Sequence, residues 1–346
     1  MKKTMKTYKL YRLLFLLCLT ASFTGCDLVH EFPDDNPVDP TLIDLTLSLS
    51  INMQFASDTI YQTYASMLGG DYDIRYIVDI YEADPNSATY DVNKRIKRIV
   101  QTENNVITEG TYELGDTLQL PAKKYEIISW IDFVDKGTNT DKYYSTADLQ
   151  QVSIIRNGTY TGYNTTKDAF TGQTEIDLTP YKGQRYVHYD ASMDVERPFA
   201  VYQIITTDIE RYITYHRSPT YATPEPASTK CAYNLYFPMG YNAFLNTPEN
   251  FLAGINYKYD VTDVVPGKEA IVASDYVFVG NDVFYQINFE MLTSDDTHIN
   301  TVNNLRIDLK RNHITIIRGE FLTRDLNNNG GIGIDDGFTD EIVVHI

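Results

Sequence analysis

Cysteine is scarce in this sequence, with three among 346 residues. Cys18 lies inside an N-terminal leader and Cys26 directly follows it, so Cys231 is alone in the rest of the chain. A chain with one remaining core cysteine has no partner for an intramolecular disulfide. If it is exported, its hydrophobic core has to supply the stability that disulfides give many secreted domains. Cys231 itself lies in a strand-like run, and we interpret it as a small buried residue.

Signatures of catalysis are also missing. The sequence contains no G-x-S-x-G, no H-E-x-x-H, no P-loop and no G-x-G-x-x-G after a predicted strand. The six histidines are scattered, and none has metal-ligand spacing to another. The acidic pairs lie in predicted loops, whereas a glycosidase needs two carboxylates that face each other from different elements, an arrangement that sequence leaves open. We therefore expect no enzymatic activity.

Basic residues are few: 29 Lys and Arg stand against 47 Asp and Glu, for a net charge of −18. The leader, residues 1–25, carries five basic residues and no acidic one, so its removal takes the net charge to −23. This acidic balance argues against nucleic acid as a partner, because phosphate binding needs a basic face. It also argues against adsorption to anionic lipid as the means of attachment.

No apolar run is long enough to span a bilayer, which takes roughly 20 residues. The leader instead combines a basic head with a short apolar stretch at 13–19, the pattern of a secretory signal peptide. Phe23-Thr24-Gly25-Cys26 resembles the bacterial lipobox, in which the cysteine is acylated and becomes the first mature residue. We predict that Cys26 is lipidated and anchors the protein in the cell outer membrane, since several acyl chains on one residue hold firmly. The alternative is an ordinary signal peptide in which Cys26 has no role.

Tyrosine is abundant, with 28 copies against one tryptophan, and it suits half-buried sheet surfaces. Residues 26–40 are acidic and contain three prolines, which predicts an extended tether. Beyond them, apolar and polar residues alternate from Ile43 to Ile51, and Tyr72–Tyr81 forms a second strong strand pattern. A second series of strand patterns begins near Glu196 with Phe199–Thr206. The fold class predicted is all-β: two antiparallel β-sandwich domains in tandem, at 41–195 and 196–346, after the lipoprotein signal peptide.

Several segments in this order resemble the fimbrillin-like lipoproteins of Bacteroidales, the family of type V fimbrial subunits and anchors. They are the lipobox, YDIRYIVDIYEAD at 72–84, LPAKKYEIISWIDFVD at 120–135, ERPFAVYQIITTD at 196–208, SDYVFV at 274–279 and the ending that starts KRNHITIIRGEFLT at 310. The resemblance implies two transthyretin-like domains, no catalysis, and a role in fimbria assembly and cell adhesion, with other fimbrial subunits bound by strand addition. The rival function is that of a surface glycan-binding lipoprotein.

In the resembled family, a protease frees stalk subunits from their lipid by cutting after a basic residue near the N-terminus. This sequence has no Lys or Arg between Asp27 and Ile74, and the first basic residue, Arg75, lies within a predicted strand. We therefore expect a subunit that keeps its lipid, as anchor subunits do.

The segment 325–336 matches a calcium-binding loop. Asp325, Asn327, Asn329 and Asp336 occupy loop positions 1, 3, 5 and 12, with Gly330 at position 6. It departs from the pattern in having Asp where a bidentate Glu is usual and in its strand-like flanks. The alternative is a hairpin loop in which Asn and Gly supply the positive φ angles. Apart from this calcium, no cofactor is expected.

Overall fold

A computed structural model describes residues 39–51, 71–103, 110–217, 224–323 and 341–345, apart from residues 85, 87, 88, 116, 117, 157 and 282. Ten strands precede residue 196: β1 Ile43–Ile51, β2 Tyr72–Glu82, β3 Lys97–Glu103, β4 Gly110–Glu113, β5 Leu118–Leu120, β6 Lys124–Asp135, β7 Tyr144–Ser145, β8 Val152–Ile154, β9 Ala169–Asp177 and β10 His188–Val195. Short 3₁₀ turns lie at Val92–Lys94, Leu149–Gln151, Thr165–Lys167 and Thr179–Tyr181.

Ten more strands follow residue 196: β11 Phe199–Thr206, β12 Pro226–Tyr233, β13 Phe237–Asn242, β14 Thr247–Leu252, β15 Asn256–Asp260, β16 Ala270–Phe278, β17 Val283–Thr293, β18 His298–Leu309, β19 His313–Gly319 and β20 Glu341–His345. One α-helix, α1 Ile209–His216, is described. The all-β class predicted from the sequence is confirmed.

The described strands form five sheets. Sheet I has the order β10-β1-β4, with β5 also paired to β1, and sheet II the order β3-β2-β6-β9. Sheet III is β14-β13-β8-β7, sheet IV is β16-β11-β19-β20, and sheet V is β15-β12-β17-β18.

The same arrangement of strands occurs twice along the chain. In sheet I, β1 pairs in parallel with β10, and in sheet II, β2 and β6 are the two central strands. In sheets IV and V, β11 pairs in parallel with β19, and β12 and β17 take the central places. The sequence shows no matching repeat, because two segments with the same strand arrangement need only similar apolar positions and can differ in their residues.

The described strands pair in the antiparallel way that was predicted, except in these two pairs. β1 pairs with β10 from Asp44↔His188 to Ile51↔Val195, and β11 pairs with β19 from Val201↔Ile314 to Thr206↔Gly319, both in parallel. Parallel neighbours need a long crossover connection, and here the chain passes through the opposite sheet before it returns. The alternation of apolar and polar residues within one strand does not indicate whether the neighbouring strand runs parallel or antiparallel to it.

Three strand boundaries are visible only in the structure. β9 begins at Ala169, within the Gly- and Thr-rich segment 158–172, and β12 begins at Pro226, within the Pro-rich segment 218–228. The strand-like run that contains Cys231 is divided, because β12 ends at Tyr233 and β13 begins at Phe237. The ends of strands are less well defined by sequence patterns than the strands themselves.

Two hydrophobic clusters form the core, and they share strand β11. Phe199 and Val201 pack in the first cluster with β1, β2 and β6, while Tyr202 and Ile204 pack in the second cluster with β12 and β17. Every residue of β11 is buried, because sheet IV has a hydrophobic cluster on each face. The domain boundary between residues 195 and 196 stays a prediction, but the two halves are not separated by an exposed linker.

Sheet III also joins the halves. β8 from the first half pairs with β13 from the second, through Gly240↔Ser153 and Tyr241↔Val152. A Cβ atom at Gly240 would lie 2.8 Å from the carbonyl oxygen of Val152, so the backbones approach too closely for any other residue.

Candidate functional site

The site residues predicted from the sequence lie outside the described part of the chain. These are Cys26, proposed as the lipidation site, and Asp325, Asn327, Asn329 and Asp336, proposed as calcium ligands. Lipidation and calcium binding both stay predictions. Within the described ranges, no group of three or more His, Cys, Asp or Glu side chains is placed to hold a metal ion. None of the helices in those ranges is long and apolar enough to cross a membrane.

A sheet edge is the first feature that could bind a partner. In the described residues, β10 lies at one end of sheet I and has β1 as its only strand neighbour in that sheet. Strand β9 of sheet II approaches the C-terminal end of β10, where Thr171 and Glu196 form an isolated antiparallel bridge. Its eight residues alternate between exposed and buried or half-buried side chains. The backbone N–H and C=O groups on the outer side of such a strand are a template for pairing with another strand.

The equivalent edge in the second half is covered. There β19 takes the place of β10, and β20 pairs with it in antiparallel register from His313↔His345 to Ile317↔Glu341. β20 therefore lies in sheet IV at the place where, among the described residues, sheet I has no further strand beside β10.

Arg75, the first basic residue after the leader, is a buried side chain. It is in the middle of β2 and is 2% exposed. Its guanidinium donates to both carboxylate oxygens of Asp132, at 2.9 and 2.7 Å, and to Oδ1 of Asp141 at 2.8 Å. Burial opposes the charged form, but the hydrogen bonds and charges of Asp132 and Asp141 outweigh it and raise the pKa of Arg75.

A second charged pair fastens the halves together. Arg197, at the entry to β11, donates from Nε to both oxygens of Asp168, at 3.0 and 2.9 Å, and both side chains are fully buried. The guanidinium also lies 4.5 Å from the ring centre of Phe170. Asp168 directly precedes β9, so this pair connects the last part of the first sandwich to the first strand of the second.

A polar network in the second core contains Asp275, which accepts hydrogen bonds from the hydroxyls of Tyr160 and Tyr233 at 2.9 Å each. Burial raises the pKa of Asp275 to about 6, although the charge of Lys167 and the tyrosine hydrogen bonds act against the rise. Burial likewise lowers the pKa of Lys167, whose Nζ donates to the carbonyl of Gly162 at 2.9 Å. Tyr160, Gly162 and Lys167 come from the first half, so this network is another contact across the junction.

Sequence reasoning missed these buried charges, although a signal was present. Asp132, Asp275 and Arg75 each interrupt an otherwise apolar strand run. A charge in such a run predicts a buried partner, because an isolated buried charge is very costly. The identity of that partner depends on contacts between distant parts of the chain, so it could not be predicted from the sequence. Arg75 and Asp132 stabilise the first half internally, whereas Asp275 with Tyr160 and Arg197 with Asp168 connect the two halves.

The family described as "Family of unknown function (DUF6562)" matches residues 39–346. None of the curated proteins compared with the chain matches it.

Solved structures similar to this chain include two fimbrial proteins. One is the fimbrial anchor protein Mfa2 from Porphyromonas gingivalis, with 9% identity, a TM-score of 0.43, and coverage of 80% of this chain and 90% of that one. Another is a fimbrial assembly protein from Parabacteroides distasonis, with 12% identity, a TM-score of 0.42, and coverage of 80% and 91%. At these identities no residue role passes from them to this chain.

Proposed function

We propose that this chain, which belongs to the DUF6562 family of unknown function, is a non-enzymatic fimbrial subunit of the cell surface. It would serve as an anchor or accessory subunit that takes part in fimbria assembly and cell adhesion. Its partners would be the outer membrane, through a lipid on Cys26, and other fimbrial subunits, through strand addition.

The observation that carries the proposal is the edge of sheet I at β10, where the described residues provide no further strand of that sheet. A strand from another subunit would add along β10, just as β20 lies along β19 in the second half. The backbone would supply affinity, and the alternating side chains of β10 would supply specificity. The order of the family-like segments in the sequence supports a fimbrial partner over an unrelated one.

The setting of Arg75 supports a subunit that keeps its anchor. If a protease removed the lipid after the first basic residue, it would have to reach a side chain that is 2% exposed and paired with Asp132. The cut would also separate β1 from the rest of sheet I, where β1 pairs with β10, β4 and β5. A protease needs an exposed, locally unfolded segment, and the middle of β2 is neither.

The experiment that tests the function is affinity purification of the lipidated full-length chain from its own cells, followed by identification of bound proteins and electron microscopy of a deletion strain. We expect fimbrial subunits among the partners and fewer or shorter fibres after deletion. Unchanged fibres together with no fimbrial partner would contradict the proposal. Sequencing of the mature N-terminus is the complementary test, since a chain that starts after Arg75 contradicts the anchor role.

Membrane attachment is tested by replacing Cys26 with serine. We expect the C26S protein to leave the membrane fraction, because serine does not receive the thioether-linked lipid. Continued attachment would refute the lipid anchor. For the loop at 325–336, a rise in melting temperature with millimolar calcium, reversed by chelator, is the result that binding requires.

A further inference from the structure

A polar cleft of about 600 Å³ lies where the two halves meet. Gln173 of β9 and Asp194 of β10 line one side, and Asn246, Arg311 and Asn312 from turns of the second half line the other. The volume lies within the range of pockets that take small molecules. Neither the fold nor the proposed fimbrial role requires a cavity here.

The only cation among the lining residues, Arg311, is held in place. Its Nε donates to the carbonyl of Arg197 at 3.0 Å, and a terminal nitrogen lies 3.2 Å from Oε1 of Glu196. The side chain is 15% exposed, and its guanidinium carbon lies 5.9 Å from the ring centre of Tyr241. A guanidinium fixed in this way presents its remaining N–H groups without a further loss of side-chain entropy.

Two asparagines add polar groups to the same cleft. Asn246 and Asn312 have left-handed backbone conformations, with φ of +53° and +58°. In each, the side-chain Oδ1 atom is buried and has no hydrogen-bond partner in the protein. A buried acceptor without a donor is costly, and a small rotation of either amide toward the cleft would let a ligand that donates hydrogen bonds satisfy it.

We propose that this cleft binds a neutral saccharide unit. A ligand here has to donate to the amide oxygens and to the carboxylates of Asp194 and Glu196, and to accept from Arg311. Hydroxyl groups do both, and a sugar carries several at fixed spacing. An anionic ligand would meet two carboxylates, and a cationic one would meet Arg311, so a neutral ligand fits the charges best.

An extended peptide fits less well, because the backbone groups across the floor are already used. Thr171 and Glu196 exchange both of their backbone hydrogen bonds, at 2.9 and 3.0 Å. A Cβ atom at Gly172 would lie 2.3 Å from the carbonyl oxygen of Asp194, which shows how closely β9 and β10 approach beneath the cleft. The backbone groups of Thr171 and Glu196 are therefore already paired and cannot bind an added strand. A ligand in the cleft has to be recognised by side chains.

The test begins with the purified full-length chain on an array of neutral and acidic oligosaccharides, in parallel with an array of extended peptides. The best neutral oligosaccharide is then titrated by calorimetry against Asn246→Gly, Asn312→Gly and the double variant. Glycine keeps the left-handed backbone and deletes only the amide. Asn250→Gly is the matched control, because Asn250 also has a φ of +53° but is exposed and outside the cleft.

We expect each cleft variant to weaken binding roughly two- to tenfold and the double variant roughly ten- to a hundredfold, with the control unchanged. Melting temperatures of all variants verify that they remain folded. Binding that survives the double substitution, binding of acidic sugars or peptides alone, or no binding on either array would overturn the proposal. The inference does not depend on the fimbrial role, since each of these results is independent of whether fimbrial subunits co-purify.

Discussion

Replacing Arg197 with methionine tests whether the charged junction holds the two halves together. Methionine has a similar length and keeps contact with Phe170, but it removes the guanidinium from Asp168. Asp168 is fully buried, so in the variant its carboxyl group must either carry its charge in a low-dielectric setting without the guanidinium or take up a proton, and both cost stability.

The expected loss of stability is about 3–5 kcal/mol, the usual cost of removing one partner from a buried ion pair. With a urea m-value of about 3 kcal/mol/M, the unfolding midpoint falls by about 1–2 M. A surface pair would cost at most about 1 kcal/mol, so the two cases are readily distinguished.

Equilibrium unfolding in urea is the measurement, with fluorescence of Trp130 as the probe. Trp130 is the only tryptophan, is fully buried in the first cluster and packs against Phe278 of sheet IV with ring centres 6.4 Å apart. Far-ultraviolet circular dichroism reports all strands together. Because β11 lies in both clusters, we expect the two probes to give one coincident transition in the unchanged protein.

The double variant Arg197→Met with Asp168→Asn is the control. Asparagine keeps an oxygen for the backbone N–H of Ala169, which donates to Asp168 at 3.0 Å, and removes the buried charge. We expect the double variant to recover most of the lost stability, because an uncharged pair carries no desolvation cost of this size. A midpoint shift below about 0.3 M for Arg197→Met, or a double variant no more stable than the single one, would refute the reasoning.

Three further predictions concern packing and titration. Gly162→Ala places a Cβ atom 2.2 Å from the Tyr257 ring and should cost about 1–3 kcal/mol by urea unfolding, whereas Gly115→Ala, which meets only the end of a flexible side chain, should cost less. Burial raises the pKa of Glu126 to about 7 from 4.5, so folding binds a proton and stability falls as pH rises between these values. Glu126→Gln should remove this slope and gain about 1 kcal/mol at pH 8 after solvent screening, and equal melting-temperature profiles for both proteins would contradict it. The Cys231 thiol is 1% exposed and burial raises its pKa to about 12, so a thiol reagent should label it only after unfolding, and fast labelling of the folded chain would contradict its burial.

Much of the strand content could be predicted from the sequence. Alternation from Ile43 to Ile51 indicated β1, and its side chains alternate between buried and half-buried. The apolar run from Phe199 to Thr206 indicated β11 with the bounds that it has. These predictions succeed because burial of one or both faces of a strand requires a particular order of apolar residues along the chain itself.

The candidate sites were less accessible. Cys26 and the loop at 325–336 were found because each is a local motif, and both stay predictions. The edge position of β10 among the described strands depends on which strands lie beside it, and the cleft depends on Asn246 and Arg311 meeting Gln173 from the other half. None of these relations is local, so no pattern within one segment could have revealed them.

The sequence by itself determined that the chain is mainly β, that its leader has the form of an export signal, and that a long acidic chain with few cysteines has to rely on its core. Only the tertiary structure decided that β1 and β11 pair in parallel with β10 and β19 and that β11 is shared by two cores. It also decided that, among the described strands, β10 ends its sheet whereas β19 is followed by β20. Composition and periodicity report whether a residue faces water. Which other residues a buried side chain contacts is settled by packing between segments that lie far apart in the chain.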